Sequence, residues 1–152
     1  MADLISRREY PVLVDYGGWA LQDLDDSRVP VLFPEDFEHG PFLHAHPHRL
    51  DFTSAGHTHE AALTVEVWSA EPPVPPGNWE EEATAAVDSS SGKLRARGIA
   101  GGPMRQEIHL SDGPQSWSVR VVCAGRAAVA RESASGVPEG VERYTAQFWP
   151  HS

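Results

Sequence analysis

Along the chain, apolar side chains return at every second position over short stretches, the period of a strand with one buried face. The clearest stretch is Leu63 to Trp68, where Leu63, Val65 and Val67 alternate with Thr64, Glu66 and Trp68 ahead of the break Glu71-Pro72-Pro73-Val74-Pro75-Pro76-Gly77. The same period predicts strands over Tyr10 to Asp15, Trp19 to Asp23, Arg49 to Thr53, Lys93 to Ile99 and Met104 to Leu110. It also predicts Trp117 to Ala124, the best candidate for a central strand, and Tyr144 to Trp149, whose place at the terminus suits locking into a sheet. Val29 to Phe33 is apolar as well, but Pro30 and Pro34 make it an edge or an irregular segment. Ala83 to Val87 suits a short helix and a strand equally.

Turn residues separate these stretches. Gly17-Gly18 turns a hairpin or bends one long strand, and Asp23-Leu24-Asp25-Asp26-Ser27, Asp88-Ser89-Ser90-Ser91-Gly92 and Ser111-Asp112-Gly113-Pro114 are polar turns. No amphipathic helical period competes with them. The expectation is an all-β, single-domain antiparallel β-sandwich of about eight or nine strands over residues 10–152, with a flexible segment at 1–9. There is no internal repeat.

Charge narrows the function. Lys plus Arg number 12 against 22 Asp plus Glu, a formal net charge of -10, which repels a phosphate backbone and argues against direct nucleic-acid binding. An acidic surface suits a basic protein partner instead. Two clusters set acids beside aromatics, Glu35, Asp36 and Glu38 among Phe33, Phe37 and Phe42, then Trp79 with Glu80, Glu81 and Glu82, and the turn before the first adds Asp25 and Asp26. These are the candidate partner-binding residues. No stretch approaches the roughly 20 apolar residues of a membrane span and no secretory leader is evident, so a cytoplasmic protein is expected. Cys123, the single cysteine, sits in the apolar run Val119 to Ala124 and reads as an inert core thiol.

Histidines are the strongest chemical feature. His44, His46 and His48 form an H-x-H-x-H run, and His57 and His59 follow within a few residues. In extended chain the first three imidazoles point to one face, where a divalent transition metal could be held. His44-x-His46 with Asp51 loosely resembles the first metal motif of the cupins, which implies a metal-binding β-barrel with enzymatic activity as the alternative reading. The cupin glycine spacing is absent, and no second motif follows, though His109 could add an imidazole. Other catalysis lacks its motifs: there is no G-x-S-x-G elbow and no glycine pattern that cradles phosphate.

Three stretches in order, Val12 to Asp23 (VLVDYGGWALQD), Gly56 to Trp68 (GHTHEAALTVEVW) and Glu142 to Pro150 (ERYTAQFWP), resemble the competence protein J family of small bacterial β-sandwich proteins. The resemblance implies a cytoplasmic, non-catalytic, inhibitor-like or immunity-like protein with no cofactor, which binds another protein, a nuclease in the case of the family's named member. An exposed strand edge could equally pair two copies as a homodimer.

Overall fold

A computed structural model describes residues 2–25, 27 and 41–151 of the chain. Among these, ten strands form two five-stranded sheets. The first sheet holds β1 (Leu4–Val14), β5 (His59–Trp68), β10 (Glu139–Pro150), β9 (Gln115–Ala124) and β6 (Glu81–Ser89), side by side in that order. The second holds β3 (Leu43–His46), β4 (Arg49–Thr53), β2 (Gly18–Asp23), β7 (Lys93–Gly98) and β8 (Gly102–His109). The expected sandwich forms, and its sheets stay separate instead of closing into the barrel of the cupin alternative. All pairings are antiparallel except β5 with β10, which run parallel.

The alternating residues supply the core. Val12 and Val14 of β1, Leu63, Val65 and Val67 of β5, and Ala146 and Phe148 of β10 cluster with Leu21 of β2, Leu50 of β4 and Leu94 of β7. Trp19 stacks on Phe52 with ring centroids 4.2 Å apart and planes at 9°, and meets the Tyr144 ring edge-on at 4.9 Å. Trp19 and Phe52 belong to one sheet and Tyr144 to the other, so these aromatic contacts join the layers. Cys123 is fully buried here, and burial pushes its thiol up to about 12, far from the range in which thiolates react.

Several elements depart from the sequence reading for identifiable reasons. The strand expected from Tyr10 begins at Leu4, so the segment expected to be flexible is already paired: Leu4 opposes Trp68 and Arg7 opposes Glu66. As an edge strand it can carry polar residues on both faces there, which hides the period. The ambiguous Ala83 to Val87 lies within strand β6. The central strand of its sheet is β10, whereas Trp117 to Ala124, in β9, lies one place from the edge. The strand β3, LHAH, alternates over only four residues, too few for the period to register. Helix α1 (Arg126–Glu132) has seven residues and buries only Val129, too few for a helical period to register. Val29 to Phe33 lies outside the described residues.

The chain crosses between sheets at tight turns. Between β1 and β2 it turns at Tyr16 and Gly17, both with positive φ (52° and 72°). It crosses again from β4 to β5 through residues 54–58, and from β6 to β7 through residues 90–92. Just before α1, Gly125 has φ 80°, and a side chain there would run into the backbone carbonyl of Val141. Gly125→Ala should therefore destabilise the fold by roughly 2–4 kcal/mol, through left-handed strain and backbone collision together. Urea unfolding that showed the variant within experimental error of the parent would remove this constraint.

Candidate functional site

The Pro-rich segment after β5 lies across the outer face of the first sheet. Arg120 holds it from below, donating through Nη1 to the Pro72 carbonyl at 2.9 Å and through Nη2 to Glu71 at 3.0 Å. Gln147 adds a bond from Nε2 to the Pro73 carbonyl at 3.1 Å. Trp79 closes the segment, its indole N–H donating to the Pro75 carbonyl at 2.8 Å. The ring is half-buried against its own prolines and only partly open to a partner.

The acids that follow Trp79 have different work. Glu80 caps α1: its Oε1 accepts the Arg126 N–H at 2.9 Å and its Oε2 the Ala127 N–H at 3.0 Å. Those backbone hydrogen bonds, from Ala127 and then Arg126, hold its carboxyl below the ordinary range. Glu81 and Glu82, at the start of edge strand β6, are exposed and have no ion-pair partner among the described residues. Neighbouring strand positions face opposite ways, so these two carboxylates straddle the edge.

Asp25 is not brought to this edge. Its Oδ1 accepts the Ser27 hydroxyl at 2.6 Å and the Ser27 N–H at 3.2 Å, and hydrogen bonds from Ser27 and Ser90 hold its carboxyl below the ordinary range. Ser90 follows the far end of β6, the whole strand away from Glu81. Asp26, Glu35, Asp36 and Glu38 lie outside the described residues.

The histidines are dispersed. His44 and His46 share a face of β3 and stack at 4.4 Å, as extended chain requires, but Pro47 and His48 form the two-residue turn into β4. His48 has φ 63°, and its Nδ1 lies 3.5 Å from Asp23 Oδ2, away from the other two. The expectation that all three share a face fails at this turn. His57 packs against Tyr16 and contacts Thr58 Oγ1 at 2.8 Å, while His59 is buried on β5. Asp51, 2.9 Å from His46 Nε2, is bound by the buried Arg49 guanidinium at 2.8 and 3.3 Å. A cation there would face that guanidinium, so this donor set does not fit a divalent metal. Among the described residues no three His, Cys, Asp or Glu side chains gather as a metal site.

One constellation escaped the sequence reading. Glu142 of β10, fully buried, accepts from Ser54 Oγ at 2.6 Å and Tyr144 OH at 2.7 Å on Oε1, and from Ala55 N–H at 3.0 Å and Arg126 Nη1 at 3.3 Å on Oε2. His59 Nε2 lies 2.7 Å from Ser54 Oγ. Serine, histidine and glutamate are triad residues, but the polarity is reversed. A hydrolytic serine gives its proton to histidine. Here the Ser54 proton goes to Glu142, which leaves His59 Nε2–H to donate to Ser54. The carboxylate also approaches this same imidazole nitrogen, at 3.5 Å, where a triad needs it on the opposite one. The arrangement is a buried fastening. Nothing in residues 88 positions apart signals it in sequence.

Comparison with known proteins gives the fold. No protein-family model matches the sequence, and no curated protein is significantly similar to it. Among solved structures the chain is similar to ComJ of Bacillus subtilis, an inhibitor of the DNA-degrading activity of NucA. The TM-score is 0.66 at 12% identity, over 99% of both chains. It is similar also to the product of crocagin biosynthetic gene J, with a TM-score of 0.60 at 11% identity, over 97% of this chain and 100% of the other. The ComJ-like fold is thus shared across the whole chain.

The divided acids make a prediction. Glu80→Gln should lower the melting temperature by weakening the α1 cap, whereas Glu81→Gln and Glu82→Gln should leave it unchanged; thermal unfolding of the three variants separates cap from display. His59 makes a second. Burial, partly opposed by the nearby Glu142 carboxylate, holds its imidazole below the ordinary 6.5. Below that value the unfolded chain binds a proton that the fold resists, so the stability contributed is full above 6.5 and is lost as pH falls through the folded value. Urea unfolding at about pH 7.5 and about pH 5.5 should show the decrease, and His59→Gln should flatten it. An equal decrease in the variant would assign the effect to other groups.

Proposed function

We propose that this protein is a non-catalytic binding module that occupies a nuclease and restrains it; ComJ, whose fold it shares, inhibits the DNA-degrading activity of NucA. The observation that carries the reading is the exposed Glu81 and Glu82 at the start of edge strand β6, which have no ion-pair partner among the described residues, in a fold that matches ComJ from end to end. A nuclease needs a basic groove to hold phosphate, and carboxylates on a strand edge compete for the same cations while the edge itself offers backbone donors and acceptors. The reversed Ser54–His59–Glu142 polarity supports the absence of a hydrolytic role, and the divided histidines give the metal alternative no support.

The test is capture of nuclease activity. The immobilised chain should retain, from an extract of its own source cells at low salt, a DNA-degrading activity that is silent while bound and recovered on salt elution. Glu81→Lys with Glu82→Lys should abolish retention, because charge reversal at an electrostatic contact removes both steering and attraction. Retention unchanged by the double variant would place the contact elsewhere. If no DNA-degrading activity were retained by the parent chain, the inhibitor reading would fall.

A further inference from the structure

The outer face of the second sheet is basic, against the sign of the whole chain. On β7, Leu94 and Ala96 point into the core, so Arg95 and Arg97 point out together. Two register rows cross this face: Glu107, Arg95, Gln22, Arg49 and His46 in one, and Pro103, Arg97, Ala20, Asp51 and His44 in the other. Three arginines thus stand against Asp51, which Arg49 engages, and Glu107. The latter reaches Arg95 through one Nη2 at 3.3 Å with its side chain half exposed, a weak surface pair.

Between Arg95 and Arg97 and the end of β2 lies a cleft of about 90 Å³, lined by Gln22, Asp23, Leu24, both arginines and Pro103. The Nε of each arginine is buried and meets no acceptor among the described residues, and Arg97 has no hydrogen-bond or ion-pair partner there at all. Asp23, on the opposite wall, offers none. Its Oδ1 and Oδ2 accept from Ser89 Oγ at 3.1 Å, Ser90 N–H at 2.7 Å, Ser90 Oγ at 2.8 Å and the Ser91 hydroxyl, all on the far turn. Buried guanidinium donors without acceptors are rare because each forfeits its hydration. Their planar edges match a tetrahedral oxyanion, which accepts two N–H bonds from each.

We propose that Arg95 and Arg97 form a binding site for one phosphate group, free or as the monoester of a small metabolite. Two guanidiniums supply the charge, and the cleft has room for a single tetrahedral anion. The site is on the sheet that does not carry β6, and it stands independently of the nuclease reading.

Isothermal titration of the full chain with sodium phosphate, against sodium chloride at matched ionic strength, tests the site. The parent chain should bind phosphate, and Arg97→Gln and Arg95→Gln should each weaken binding about tenfold or more, the loss expected for a charged hydrogen bond. Arg131→Gln, on the exposed end of α1, should bind as the parent does. Ribose 5-phosphate beside ribose distinguishes the sources: tighter binding than phosphate assigns the site to a monoester, equal binding to the free anion. Phosphorus NMR line broadening on the parent chain decides the matter should either variant misfold. A parent response no greater in phosphate than in chloride, or both arginine variants binding like the parent, would overturn the site.

Discussion

The fold depends on a carboxyl group placed where no solvent reaches it. Glu142 lies inside the sandwich, and a buried carboxylate is costly unless its oxygens are fully engaged. Four donors meet that demand: Ser54, the Ala55 backbone, Tyr144 and Arg126. They come from the crossing between β4 and β5, from β10, and from the start of α1. Arg126 reaches across to donate to the Thr53 carbonyl and lies over the Phe42 ring, so one residue ties helix, crossing and core edge. Remove the carboxyl, and each of these donors loses a hydrogen bond in a dry site.

The same device recurs at other turns. Asp23 ends β2 and collects the serines of the β6–β7 turn; burial opposes its ionisation, but hydrogen bonds from Ser91, Ser90 and Ser89 outweigh that and hold its carboxyl below the ordinary value. Asp15, at the β1–β2 turn, accepts the successive backbone N–H groups of Ile99, Ala100 and Gly101. Glu80 serves the helix. A turn exposes backbone donors that no strand ladder satisfies, and a short acidic side chain from a neighbouring crossing satisfies several at once. Part of the chain's acidity is therefore internal fastening, and the net charge of -10 overstates what the surface shows a partner.

This division explains what could be read in the sequence. Alternation over Leu63 to Trp68 and Tyr144 to Trp149 is written by the deeper burial of one face, and those strands, like Trp19 to Asp23, which is buried on both faces, form where the pattern places them. Strand order is not local. That the last strand lies at the centre, parallel to β5, follows from long-range pairing that no window of residues contains. The acid cluster after Trp79 was legible as composition, but its split into a cap and two displayed carboxylates depends on where α1 begins. The histidine run was legible as a motif and undone by a two-residue turn. The pairing of Ser54 with Glu142, and the arginine face of the second sheet, exist only once the strands are in register.

A fold shared with ComJ at 12% identity shows how little of this architecture is bound to particular residues. Core alternation tolerates exchange among apolar side chains so long as volume and pattern hold, and folds so maintained carry unrelated functions. What distinguishes one such sandwich from another is the chemistry left over after the fastenings are counted. Here the remainder has two signs: carboxylates at the edge of one sheet and guanidinium edges on the outer face of the other, both without partners among the described residues. The sheets hold them on different layers, so the charge left over on each face differs in sign from the other.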